Sequence, residues 1–137
     1  MQEGSREDKV DELSVLVCVT GQKSCHRLIQ EGDRLAQELH AQLCVLHVAR
    51  PGGGLLGDAQ KGEAEALEYL FEIAREHGAQ MSVVRAQDVI ETIVQQAEKV
   101  NALVLVLGSA RKGRVSSIDG LHARLPDVQF HIVYTEE

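Results

Sequence analysis

Five short apolar runs, spaced along the chain with helix-periodic segments between them, restrict this sequence more than any other feature does. They are LSVLVCV (13–19), LCVLHVA (43–49), AQMSVVRA (79–86), ALVLVLG (102–108) and VQFHIVY (128–134). The first is β-branched and apolar without interruption, the pattern of a strand buried on both faces rather than one. Parallel neighbours in a sheet need long crossovers, usually helical, and the intervening segments supply them. After Ser24, a plausible N-cap, Leu28, Ile29, Leu35, Ala36 and Leu39 follow helical spacing, with His40 at the carboxyl end. Residues 63–78 place Ala66, Leu67, Leu70, Ile73 and Ala74 on one face and stop at Gly78. Asp88 and Glu91 make a capping-box start for a helix over 89–99, striped by Ile90, Ile93, Val94 and Ala97. A short helix is expected over 116–125, stopped by Pro126. The Gly-rich stretch RPGGGLLGDAQKG (50–62) reads as a long connection. The pattern predicts an α/β three-layer sandwich over residues 12–137, a five-stranded parallel sheet with helices on both faces. Residues 1–11, polar and acidic, are expected to form a flexible lead-in.

Charge and composition exclude several function classes. The 137-residue chain carries a net charge of −7, and aromatic residues make up 3% with no Trp. An acidic surface short of stacking platforms argues against a nucleic-acid partner. No run reaches the length of a membrane span, and the amino-terminal residues are too polar for a signal peptide, so no membrane insertion and a cytoplasmic location are expected. Three scattered cysteines do not suggest a disulfide framework. Cys18 and Cys44 read as small core residues. Cys25, near a helix start and beside His26, sits where a thiolate is favoured. No pair of histidines has His-x-x-x-His spacing, and Cys44 and His47 point to opposite faces of their strand, so no metal site is read. No paired carboxylates and no G-x-S-x-G string support a catalytic assignment, and a non-enzymatic role is expected.

One region departs from the acidic background. Residues 108–125 hold Arg111, Lys112, Arg114 and Arg124 against Asp119, a local net charge of +3 that leaves −10 on the rest. If the first and fourth strands are the adjacent central pair, the crevice beyond their carboxyl ends is lined by TGQKS (20–24) and GSARKGR (108–114). Each loop combines glycine, a hydroxyl and cations, and each leads into a helix amino terminus that favours anions. The candidate anion- or nucleotide-binding residues are therefore Thr20, Gly21, Gly108, Ser109, Arg111, Lys112, Gly113 and Arg114. The competing reading is a solvated cationic loop. Neither a G-x-x-x-x-G-K-[ST] string nor a G-x-G-x-x-G string after the first strand is present, which excludes a P-loop and disfavours a dinucleotide site.

Three stretches, VLVCVTG (15–21), AQLCVLHV (41–48) and VIETIVQQAEKVNALVLVLGS (89–109), are similar to the universal stress protein family over roughly residues 13–134. With LGSARKGR, the chain most resembles the stress-protein-like subdomain of Kdp-type potassium-sensing histidine kinases. The resemblance implies a sheet in the order 3-2-1-4-5 and a ligand such as ATP or another phosphate-bearing molecule. It also implies a homodimer paired through the last strand, with Gln129, Phe130, His131, Ile132 and Val133 at the edge. Where nucleotide-binding members carry an Asp after the first strand, this chain has Thr20. Gly108 matches the first glycine of the family's G-x-x-G loop, but Arg111 stands at the second. Gly120 lies near the final Gly-Ser/Thr but is followed by Leu121. Loss of the acid removes a directional acceptor, and Arg111 replaces close backbone approach with bulk and charge. The resemblance implies a non-catalytic regulatory or signalling module, standalone or part of a larger sensor kinase, that acts by binding a ligand or a protein partner. The alternative is a nucleotide-binding protein that uses residues 108–114.

Overall fold

All six residues of the first strand are buried, because helices cover the sheet on both sides. The computed structural model describes residues 13–19, 25–49, 60–110 and 115–135. The elements run β1 (Ser14–Val19), α1 (Cys25–Leu39), β2 (Gln42–Ala49), α2 (Gln60–Glu76), β3 (Gln80–Arg85), α3 (Val89–Lys99), β4 (Ala102–Ala110), α4 (Val115–Arg124) and β5 (Gln129–Thr135). The strands form one sheet in the order β3-β2-β1-β4-β5, and every pairing is parallel. The expected α/β class and strand order are those observed. The expected lead-in, the Ser24 cap and most of the 50–62 connection lie outside the described residues; Gln60 already belongs to α2.

Side-chain alternation along β1 sorts the core into two layers. Val15, Val17 and Val19 pack with Cys25, Leu28, Ile29 and Ala36 of α1 and with Leu70, Ile73 and Ala74 of α2. Leu16 and Cys18 face the other way, toward Ile93, Val94 and Ala97 of α3 and toward Leu121 of α4. One close approach fixes how α1 sits on the sheet. A Cβ on Gly32 would stand 2.3 Å from Val17 Cγ2 and 3.2 Å from Leu43 Cδ1, so α1 rides here on a residue without a side chain.

Element ends follow local chemistry. Asp88 caps α3, its carboxylate accepting from the Glu91 backbone N–H at 3.1 Å. Glu91 does not return the bond as a full capping box would; its carboxylate accepts from Arg124 of α4 at 2.8 Å. Gly78 ends α2 in the left-handed region, φ +68°, where glycine has no Cβ penalty. His40 takes the same region after α1, at φ 56°. Ser14, 1% exposed, donates its hydroxyl to the Val100 carbonyl at 2.8 Å, tying the start of β1 to the end of α3. Among the described residues, no helix is long and apolar enough to cross a membrane.

Candidate ligand-binding site

β1 and β4 are the adjacent central strands, paired from Val15↔Val104 to Cys18↔Leu107. From β1 the chain proceeds to α1 on one face, and from β4 to α4 on the other. The strand order reverses between these two strands, so their carboxyl ends border the crevice where sheets of this kind take ligands. The residues there are held by apolar packing below. Val17, Val19, Leu105 and Val106 are almost fully buried, so the strand ends form a rigid rim.

The structure brings some of the sequence-predicted residues to that rim. Gly108, exposed, lies in β4 opposite Val133, and Ser109 lies opposite Tyr134. A Cβ on Gly108 would stand 3.1 Å from Leu28 Cδ1. This glycine therefore has a packing reason to be there, apart from any ligand. Thr20, Gly21, Arg111, Lys112, Gly113 and Arg114 lie outside the described residues. Gly120 is the sixth residue of α4, where its N–H belongs to the helix ladder. It supplies no open backbone donor of the kind a phosphate loop needs, and its nearest non-local contact is Ile90 Cδ1 at 3.4 Å.

Cys25 does not have the surroundings of a reactive thiol. It occupies the first turn of α1, where a helix terminus favours a thiolate, but its side chain is fully buried in the core. Burial pushes its thiol up, outweighing the backbone hydrogen bonds at the helix start that pull it down. Cys18 is pushed up to about 12 by burial alone. Cys18, Cys25 and Cys44 are buried thiols and serve packing, as the apolar context of Cys18 and Cys44 suggested.

Sequence reasoning missed a histidine at the same rim. His47 is 4% exposed in β2, and its Nδ1 lies 3.0 Å from the carbonyl of Val19, the last residue of β1. The hydrogen on Nδ1 donates to that carbonyl, which locks the end of β1 to β2 just before residues 20–24. The chain signal for it was a polar residue inside an apolar strand run.

β5 forms one edge of the sheet, pairing with β4. Gln129 is exposed, and Phe130, His131 and Ile132 are partly so. The Val133 side chain is buried at 9% and belongs to the core, so at this edge it has only backbone to offer. His131 Nε2 approaches Glu31 of α1 at 3.0 Å, and the Phe130 ring lies 4.9 Å from that of His122. Glu31 also pairs with Arg34. Arg34 is the main cause holding the Glu31 carboxyl below its usual range, with His131 adding to it.

A cleft of about 360 Å³ lies at the opposite end of the sheet, bordered by Asp33, Gln37, His77 and Gln80. Asp33 Oδ2 and His77 Nδ1 meet there at 2.6 Å, joining α1 to the end of α2.

Comparison with known proteins agrees with this architecture. Residues 13–120 match the model of the Universal stress protein family. Sensor protein KdpD of Mycobacterium tuberculosis is 35% identical over 112 residues, 80% of this chain and 12% of that protein. The chain thus corresponds to a small part of that relative's length. A universal stress protein from Archaeoglobus fulgidus superposes with a TM-score of 0.61 at 21% identity, covering 89% of this chain and 92% of its own. The universal stress protein from Archaeoglobus fulgidus in complex with dAMP gives 0.58 at 23% identity, covering 89% and 96%. With the sheet order, the two-sided core and a family match over most of its length in agreement, this chain belongs to the universal stress protein family.

Proposed function

We propose that this domain is a non-catalytic regulatory module that takes a phosphate-bearing ligand, an adenine nucleotide foremost, in the crevice between the carboxyl ends of β1 and β4. The observation that carries the reading is the central parallel pair β1·β4, from which the chain leaves toward helices on opposite faces. A related protein of this fold is known in complex with dAMP, and the segment after Ser109 carries Arg111, Lys112 and Arg114. Departures from the family loop, Thr20 for the acid and Arg111 for the second glycine, favour binding through charge over close backbone enclosure. The expected affinity is modest and salt-sensitive. Burial of Cys25 takes away the candidate nucleophile at this end of the sheet and supports a binding role over a reaction.

The module works as a homodimer through β5, whose outer edge offers strand hydrogen-bonding groups to a copy of itself. Sedimentation showing only a 15 kDa species at micromolar concentration would exclude the dimer. A second reading rests on the 35% identity to Sensor protein KdpD over 12% of that protein: the domain serves within, or docks on, a larger sensor kinase and reports ligand occupancy to it. Thermal-shift measurements with ATP, AMP and sulfate test the shared premise. Stabilisation that disappears in Arg111→Ala/Lys112→Ala supports the ligand site. No shift at millimolar ligand would leave partner docking as the function.

A further inference from the structure

We propose that His26 and His77 form a binding site for a divalent transition-metal ion, with Asp33 positioning His77 from behind. The two histidines are far apart in sequence, and the packing of α1 against α2 brings their rings to a centroid distance of 6.4 Å with an interplanar angle of 56°. His77 is oriented by its Nδ1, which lies 2.6 Å from Asp33 Oδ2. That carboxylate is held in turn by Gln37, whose Nε2 donates to Asp33 Oδ1 at 3.1 Å. With the Nδ1 hydrogen committed to Asp33, the lone pair of neutral His77 sits on Nε2, the nitrogen left to bind an ion. A carboxylate behind an imidazole is the usual outer support of a metal-bound histidine, fixing its tautomer and raising its basicity. His26 lies seven residues before Asp33 on the same helix, and therefore on the same face.

The separation suits one shared ion. Imidazoles bound to a tetrahedral ion at about 2.0–2.1 Å place their ring centroids a little over ~5 Å apart. His26 is exposed at the start of α1, and a small side-chain rotation closes the remaining distance of about 1 Å. Among the described residues, no group of three or more His, Cys, Asp or Glu side chains is placed to hold an ion. Two imidazoles are thus the protein ligands, and water fills the other positions. His26 is exposed, so water reaches the ion from its side. Imidazole ligands without thiolate select Zn²⁺, Ni²⁺ or Cu²⁺ over Mg²⁺ or Ca²⁺. The competing explanation, an ion pair that merely ties α2 to α1, gives His26 no part in metal binding.

Calorimetric titration of the purified full chain with NiCl₂, and separately ZnCl₂, decides the matter. The expected result is a single ion per chain, with at least a tenfold loss of affinity in His26→Ala and a loss of about 10–100-fold in Asp33→Asn. His122→Ala and His131→Ala should leave binding unchanged. Paramagnetic broadening by Ni²⁺ should reach the imidazole signals of His26 and His77 first. Absence of binding, or binding that survives His26→Ala, overturns the proposal. Should His77→Ala fail to fold, exposed His26 still decides it. His26 follows residues 20–24 at the carboxyl end of β1, so the titrations are run without nucleotide.

Discussion

Replacing Gly32 by Ala tests the helix–sheet contact on which the fold is built. Alanine is the better helix former, and in the interior of α1 the exchange gains about 1 kcal/mol of propensity. Against this stands the position of the new Cβ, 2.3 Å from Val17 Cγ2 and 3.2 Å from Leu43 Cδ1. Carbon atoms pack at about 3.5–4.0 Å, so the contact with Val17 must open by more than ~1 Å. Val17 is fully buried and β-branched, with little freedom to turn away, and Leu43 blocks movement sideways. The helix itself must lift from the sheet. Overpacking of this kind costs about 1–3 kcal/mol, and backbone displacement against a central strand belongs in the upper part of that range. The net expectation is a destabilisation of about 1–2 kcal/mol, a fall in Tm of roughly 4–8 °C. Urea denaturation of wild type, Gly32→Ala, Val17→Ala and the double variant forms the cycle that isolates the contact. With Val17 truncated the clash is gone, and Gly32→Ala should become stabilising by up to about 1 kcal/mol. A rise in stability on Gly32→Ala in the wild-type background, or the same loss in both backgrounds, would show that Val17 does not limit the approach of α1 to the sheet.

Two further predictions concern groups that join distant elements. Ser14→Ala leaves the partly buried Val100 carbonyl without its 2.8 Å hydroxyl partner and should cost about 1 kcal/mol in urea denaturation; unchanged stability contradicts the role given to that bond. At Asp33 burial pushes the carboxyl up, but hydrogen bonds from His77 and Gln37 and the charge of His77 outweigh it and leave the group below its usual value. The unfolded chain then binds more protons than the native one as pH falls past the ordinary Asp value of about 3.9. The stabilisation is complete above that value and is lost as pH drops through the lower folded one. The stability difference between wild type and Asp33→Asn should shrink as pH falls below about 3.9, and a difference that stays constant as the pH is lowered further would contradict the assignment.

The fold was legible where a signal is local and periodic. The apolar runs located all five strands to within a residue or two, because a strand buried on both faces has few polar positions. Gly78 and Asp88 showed their roles through the chemistry of helix ends, which acts within a single turn. Strand order was not contained in the periodicity, and the resemblance of residues 15–21, 41–48 and 89–109 to a known family supplied it. What escaped depends on tertiary contact. Nothing in the spacing around Gly32 shows that Val17 lies beneath it. Gly108 reads from sequence as a ligand glycine, and Leu28 against its open side gives it a packing role that the sequence does not show. Cys25 sat at a reactive-looking helix start, yet the core closes over its side chain. His77 meets Asp33 and His26 only through the packing of two helices, and no spacing rule links it to residues more than forty positions away. The candidate site was legible as composition, glycine and cations after a strand, but the segments 20–24 and 111–114 lie outside the described residues.

The proposed ligand site is the β1·β4 crevice, with an adenine nucleotide held through the cations after Ser109. Its most direct test follows the Tm of wild type and of Arg111→Ala/Lys112→Ala against AMP, with adenosine and sulfate as partial ligands. A site occupied at 100 times its dissociation constant stabilises the fold by about 2.7 kcal/mol. The account predicts a saturable rise with AMP in the wild type, a smaller rise with adenosine, and loss of the AMP effect in the double variant. A flat response to millimolar AMP, or a rise that the double variant retains in full, would contradict it.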